Sequence, residues 1–361
     1  MKTIKIKFTG FWTGFDPESL FITKILRKHY NVELSEDADY VICSGFGFYN
    51  YLDEPGIRIM FSGENYIPDF NYIDYAFSFY PIDFLDRHCT IPGMIYLSMD
   101  PLEELRRKKR DYSKDILKEK VYFANLLASH ESDENMRSRL IDALSQYKRV
   151  ECAGIFRNNM PDGQTVSMWA GTKQPFVRKC KFTLCPESVV HEGFVTEKIF
   201  DAFQADTIPI YYGSSTVSSI FNKKAYLDVR DFEDLDALLE RIIDLDNDDE
   251  KYLEMLRQPI FNNPRYVEDS LSKIEAFLCH IVDQPIEKAY RRCHLYMPAE
   301  YEKTLAECRR RGFGYLVGKY YDFKDKVYEI MGKESEKRGD CVLYGVPFSS
   351  DVIKKNRGHK K

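Results

Sequence analysis

The chain has 361 residues, 44% of them hydrophobic and 30% charged, with 25 Tyr and 25 Phe against 2 Trp and a formal net charge of −5. That length provides for two domains of ordinary size, each with its own core. No window of 18 apolar residues occurs, and the cysteines are scattered, odd in number and free of any CxxC pair, which excludes a membrane-spanning helix and a disulfide scaffold and points to reduced packing thiols in a cytoplasmic protein.

The opening MKTIKIKFTGFW alternates Ile4, Ile6 and Phe8 with Lys5 and Lys7, the pattern of a first strand over 4–9 and not of a secretory leader. A helix is predicted over 19–30, a strand over 40–43 closed by Gly45, and an apolar strand over 57–61 that runs into Ser-Gly-Glu-Asn at 62–65. A further strand follows at 75–79, and the charged run LEELRRKKRDYSKDILKEK, 102–120, reads as a solvated crossing between domains. A second alternating block holds strands at 121–127, 150–153, 182–185, 208–212 and 225–229. Its helices are predicted at 134–147, 195–204, 216–221 and 234–243. DLDNDDE, 244–250, lacks the glycine and final glutamate of a calcium loop and reads as a helix-ending turn. Beyond 284 the sequence turns to Arg-rich amphipathic helices, with 18 Lys or Arg against 11 Asp or Glu from 287 onward, so this end reads as a separate electrostatic unit. Its last residues, KKNRGHKK, suit anionic lipid or an acidic partner as well as they suit a solvated tail. The expected division is 1–115, 116–284 and 285–361, with an α/β fold of two open halves about a cleft.

No GxGxxG follows a strand, no GxxxxGK[ST] or HExxH is present, and no His or Cys cluster has metal spacing. What remains is a set of charged groups at strand ends, where ligands bind in such folds. Glu197 and Lys198 stand at the start of the helix over 195–204, where Thr196 is expected to cap free N–H groups. A lysine there opposes the helix dipole, which a bound phosphate would explain. Arg137 begins a helix on the same strand-end side and offers a guanidinium for bidentate contact with diphosphate oxygens. Glu64 ends a buried strand of the first half, behind Gly63. His191, beside Glu192, is either a ligand contact or a plain loop residue.

The stretches FSGENYIPDFNYIDYAFSF (61–79) and FTLCPESVVHEGFVTEKIFDAFQADTIPIYYGSSTVSSIFN (182–222) resemble the GDP-fucose-dependent α1,3/4-fucosyltransferases, bacterial branch, with similarity from about residue 3 to about 280. The resemblance implies the GT-B arrangement, two Rossmann-like domains facing a central cleft, here followed by a basic helical extension. The N-terminal half would bind acceptor and the C-terminal half GDP-fucose. Position by position, it implies Glu64 as general base, Arg137 and Lys198 on the donor diphosphate, and Glu197 close to the fucose ring. It further implies donor contacts at Ser129, Glu187, Ser188, Phe194, Thr196, Tyr211 and Gly213. The chain departs from the family pattern in Pro186-Glu187-Ser188 for Phe-Glu-Asn, Phe194 for Tyr, Ser129-His130 for Ser-Asn, and Tyr212 for Trp. The charged set is kept, so activity is expected with an altered donor fit. The implied reaction is inverting transfer of L-fucose from GDP-β-L-fucose to the 3-hydroxyl of GlcNAc or Glc in an oligosaccharide or glycolipid acceptor. No cofactor is expected to be required, with Mn or Mg at most stimulatory, and no nucleic acid is expected as partner. The basic C-terminus would add peripheral contact with the inner face of the membrane. A transferase for another nucleotide sugar and a silent glycan-binding protein are the alternatives on the same fold.

Overall fold

The computed structural model describes residues 1–11, 15–45, 50–61, 63–91, 105, 109–166 and 171–292, and beyond them the single positions 303, 304, 307, 311, 320, 323 and 327. The strands are β1 (Thr3–Thr9), β2 (Asn31–Leu34), β3 (Tyr40–Ser44), β4 (Ile57–Phe61), β5 (Tyr75–Ser78), β6 (His88–Thr90), β7 (Tyr122–Leu126), β8 (Val150–Cys152), β9 (Cys180–Pro186), β10 (Ile208–Tyr212) and β11 (Leu227–Asp228). The helices are α1 (Phe21–His29), α2 (Met136–Leu144), α3 (Lys173–Val177), α4 (Glu197–Gln204), α5 (Val217–Ile220), α6 (Leu235–Asn247), α7 (Asp249–Leu256), α8 (Tyr266–Asp283) and α9 (Ile286–Ala289). Two compact units result, one of Met1–Ser78, Asp83–Cys89 and Ala276–Lys361, the other of Phe79–Ile82 and Thr90–Glu275.

Unit one is built on the sheet β2-β1-β3-β4-β5-β6, in which β1 pairs in parallel with β2 and β3, β3 with β4, and β4 with β5. β3 and β4 are buried at every position, as the near-continuous apolar runs YVICS and IRIMF require of central parallel strands. Helix α1 turns Phe21, Ile22, Ile25 and Leu26 inward and keeps Arg27, Lys28 and His29 for its last turn, where cations complement the dipole.

Charge buried in unit one is answered by the main chain. Arg58, inside β4, donates to the carbonyls of Glu54, Tyr72 and Leu52. Arg87 donates to those of Asp74, Phe70 and Ile73. Asp74 is fully buried and accepts the backbone N–H groups of Arg58, Arg291 and Arg292 at 2.8, 2.7 and 2.9 Å. It also pairs with the Arg292 guanidinium, itself 1% exposed, whose other N–H groups donate to Gly56 and Pro55 carbonyls at 3.1 Å. Arg291 bonds the Tyr75 hydroxyl and the carboxylate of Asp86. The basic C-terminal segment therefore does not begin as a separate electrostatic unit: its first arginines after α9 are committed to the core of unit one. The stretch KKNRGHKK lies outside the described residues.

Unit two carries the sheet β11-β10-β9-β7-β8 with every pairing parallel. Counted within the unit, the strand order is 2-1-3-4-5, so direction reverses between β7 and β9. Ligands of open α/β sheets bind outside the carboxyl ends of the strands at that reversal.

Three expectations need correction. The helix expected over 134–147 starts only at Met136, because Glu134 and Asn135 take left-handed backbone (φ 59 and 52) in a preceding 3-10 turn. The run 102–120 is not simply solvated. Residues 102–104 and 106–108 lie outside the described residues, but the Arg110 guanidinium packs on the rings of Tyr112 and Phe203 at 5.7 and 5.6 Å, the Tyr112 hydroxyl bonds Asp206, and Ile116 is buried. The acidic stretch at 244–250 ends one helix and opens another: Asp248 follows α6 and caps α7, accepting the N–H groups of Glu250 and Lys251 at 3.1 Å. Among the described residues, five of the six free cysteines are buried, and no helix is long and apolar enough to cross a membrane.

Replacing Arg292 by Ala strips the buried Asp74 of its ion-pair partner while the carboxylate stays out of water. The expected cost is roughly 3–5 kcal/mol of folding stability, read from urea denaturation midpoints.

Candidate functional site

The carboxyl end of β9 sets the geometry. One residue beyond the strand, the Glu187 N–H donates to the Tyr212 carbonyl at 2.8 Å, extending the β9–β10 register and turning the side chain inward to 1% exposure. A carboxylate so placed needs donors. Thr196 supplies two, its N–H to Oε1 at 2.8 Å and its hydroxyl to Oε2 at 2.7 Å, and Lys198 Nζ supplies a third to Oε2 at 3.0 Å. Thr196 occupies the N-cap position of α4 but its side chain makes no capping bond. The expected cap is absent because the hydroxyl is given to Glu187, while it accepts from Lys198 Nζ at 2.8 Å.

Two acids offset the cation at the mouth of α4. Lys198, 22% exposed, lies 3.6 Å from Glu197 Oε1 as well as bonding Glu187. Burial works against its ammonium, yet Glu187 and Glu197 outweigh that and raise its pKa above the ordinary 10.5. For Glu197, a third exposed, burial again opposes the charge, but Lys198 and then Lys173 outweigh it and hold the carboxyl at about 2. Lys173, on α3, is itself paired with Asp201 on α4.

The loop after β7 brings the second cation. Arg137, at the start of α2 and 2% exposed, donates to the His130 carbonyl, and its N–H donates to Ser132 Oγ at 3.2 Å. It lies near enough to Lys198 for its charge to work against the ammonium. Burial, then Arg137 and Lys198, press the His130 imidazole below its ordinary pKa. Ser129 is exposed, with Oγ 3.2 Å from His130 Nδ1. The Ser188 carbonyl accepts the Asp133 N–H at 2.9 Å, tying the loop after β9 to the loop after β7. Arg137, Lys198 and Glu197 are thus gathered at the sheet's point of reversal.

A Cβ on Gly213 would stand 2.5 Å from Tyr211 Oη and 2.6 Å from Glu187 Cγ, so only glycine fits. Gly193, at φ 80, donates its N–H to Ser214 Oγ and Thr216 Oγ1, both at 3.0 Å. Phe194 is buried edge-on against Phe79, and Tyr211 is fully buried. Glu187, Thr196, Phe194 and Tyr211 are therefore all buried. Tyr212 donates to Glu134 at 2.6 Å. His191 is an exposed loop residue. Glu64 belongs to unit one: it follows β4, is exposed, and its carbonyl accepts the Tyr66 N–H at 2.7 Å.

Sequence reasoning missed Glu192, Lys173 and Arg230. Glu192 accepts from Ser215 and Thr216 hydroxyls at 2.9 and 2.7 Å, bridging two loops. Arg230 grips Asp228 in a fork at 2.9 and 2.7 Å and reaches the Ser214 carbonyl at 3.2 Å. Asp-Val-Arg at 228–230 is a visible signal for that fork, whereas nothing local marks Lys173. Among the described residues no group of three or more His, Cys, Asp or Glu is placed to hold a metal ion.

Profiles of two domains match this chain: the alpha-(1,3)-fucosyltransferase FucT N-terminal domain over residues 6–97, and the C-terminal part of glycosyltransferase family 10 (fucosyltransferase) over 117–293. The alpha-(1,3)-fucosyltransferase FucT of Helicobacter pylori is 31% identical in a match that covers 63% of this chain and 53% of that protein. The chain thus spans about half the length of that relative. A solved α1,3-fucosyltransferase superposes with a TM-score of 0.62 at 27% identity, covering 77% of this chain and 90% of the other. A structure of α1,3-fucosyltransferase with GDP-fucose gives 0.61 at 26% identity over 77% and 91%. The fold is accordingly the α/β fold of the GT-B class, and the chain belongs to glycosyltransferase family 10, the fucosyltransferases.

Proposed function

We propose that the protein is an inverting α1,3-fucosyltransferase that moves L-fucose from GDP-β-L-fucose to the 3-hydroxyl of a GlcNAc or Glc residue in an oligosaccharide or glycolipid. One observation carries the reading: buried Arg137 after β7 and Lys198 after β9, the latter held by Glu187 and Thr196 with Glu197 at 3.6 Å, follow the two strands that flank the sheet's reversal. Two cations held together in a partly buried place favour a polyanion between them, and a diphosphate fits that demand. Solved α1,3-fucosyltransferases with GDP-fucose and with GDP, similar to this chain at 26% and 27% identity, support the choice of nucleotide.

In this reading Arg137 and Lys198 hold the diphosphate before reaction. As the bond from fucose to phosphate breaks, its electron pair leaves with GDP, and the two fixed cations stabilise that growing charge more in the transition state than in the ground state. The sugar carbon becomes oxocarbenium-like. Glu197, kept ionised by Lys198 and Lys173, offsets that positive charge. Glu64 takes the proton of the acceptor hydroxyl as its oxygen attacks, so a single displacement inverts the anomeric centre. The side chains supply the positive charge the leaving group needs, so Mn or Mg would at most stimulate. We place the basic C-terminal end against anionic lipid on the cytoplasmic face, on the strength of its charge alone.

Incubation with GDP-fucose and lactose or N-acetyllactosamine, followed by linkage analysis, should give an α1,3-fucoside; no product with GDP-fucose but product with another sugar nucleotide would reject the donor. Lys198→Ala should weaken GDP binding in calorimetry by roughly ten- to a hundredfold, the worth of one charged hydrogen bond. Glu64→Gln should leave GDP affinity near that of the wild type and lower kcat by about 10²–10⁴-fold. Because the folded Glu197 carboxyl sits at about 2, below its ordinary 4.5, its charge stabilises the fold above about pH 4.5 and that contribution fades as pH falls toward 2. Melting-temperature differences between wild type and Glu197→Gln should therefore be level near neutrality and change only in acid.

A further inference from the structure

We propose that Thr196 and Glu187 are positioning residues that aim the Lys198 ammonium, leaving one of its N–H bonds for a phosphate oxygen. The inference rests on the reading of Lys198 as a diphosphate ligand. An ammonium has three donors and no acceptor. One is taken by Thr196 Oγ1 at 2.8 Å and one by Glu187 Oε2 at 3.0 Å. Toward Glu197 the separation is 3.6 Å, beyond an ordinary hydrogen bond, so the third donor is the one a ligand oxygen can claim. A lysine is otherwise a point charge on a flexible four-carbon stem.

The seat itself cannot shift easily. Glu187 is fixed at its backbone by the bond to Tyr212 and at its side chain by the Thr196 N–H, with Gly213 packed where a Cβ would stand 2.6 Å from its Cγ. The Thr196 hydroxyl has a forced polarity. It must accept from Lys198, whose ammonium only donates, and so turns its own proton to a carboxylate, with Glu187 Oε2 at 2.7 Å. Serine can reproduce that arrangement, and valine, of the same shape, cannot. The charged and titratable groups that interact with the Lys198 ammonium are Glu187, Glu197 and Arg137, with Lys173, Asp201, His130 and Cys185 also within its field.

The test is GDP binding by calorimetry, with thermal melting as a check on folding. Thr196→Val and Glu187→Gln should each weaken GDP at least about fivefold, and Thr196→Ser should stay within about twofold of wild type. In the Lys198→Ala background Thr196→Val should have no further effect, since Thr196 acts through the missing ammonium. Between about pH 7.5 and 10 wild-type affinity should hold steady, while Glu187→Gln loses affinity progressively, because an ammonium without its counter-charge gives up its proton at lower pH. Binding by Thr196→Val within twofold of wild type would overturn the proposal. So would an equal loss from Thr196→Val with or without Lys198, which marks a merely structural role, or tighter binding by Glu187→Gln, which marks simple charge balance. Unchanged GDP binding in Lys198→Ala alone would overturn the diphosphate reading, and this inference with it.

Discussion

A carboxylate withdrawn from water has to be met by donors, and at the heart of unit two that carboxylate is Glu187. Its burial comes from the strand register, which carries β9–β10 pairing one residue past the end of β9. From that single placement come the glycine at 213, the threonine that forgoes its capping bond, and a lysine at a helix start where a cation is otherwise unwelcome. Removing one member of such a group strands the others, because the remainder is a buried charge without compensation. The same balance explains why Glu197 stays ionised although it is largely out of water: two ammoniums outweigh the loss of solvent.

Unit one solves the converse problem. Its buried charges are mostly guanidinium groups, and they are satisfied by carbonyl oxygens of the main chain. Arg58 shows why this works inside a strand that reads as wholly apolar. Its planar fork reaches three carbonyls in different directions while the strand keeps its ladder. Asp74 then ties three arginines' backbone groups to one point, so local sequence polarity and core position do not conflict.

How much of this is legible in sequence depends on how local the cause is. The strand over 57–61 is read with both its ends, since five buried residues between turn signals leave no other solution. β2 escapes notice because only Val32 of its four residues is buried, so it carries no apolar run, and the long helix α8 goes unpredicted. At the site, the charged start of α4 stands out because Lys198 breaks the usual rule for helix termini, and the position of Arg137 comes from parallel strand order. The role of the threonine does not stand out. A threonine before a helix predicts a cap, and only the arrival of Glu187 from another strand redirects its hydroxyl. Phe194 and Tyr211 are read as ligand contacts from the sequence, and their burial, with Phe194 edge-on against Phe79, is set by packing that no local pattern announces.

The anchoring of Asp74 by Arg291 and Arg292 also fixes one place where this polypeptide does not tolerate trimming. Composition alone would place the scissors near 285, where basicity begins, but a cut there would discard Arg291 and Arg292, which meet the buried acid of unit one. A chain ending at 285 keeps only Arg58 of the three arginines whose backbone N–H groups the buried acid accepts.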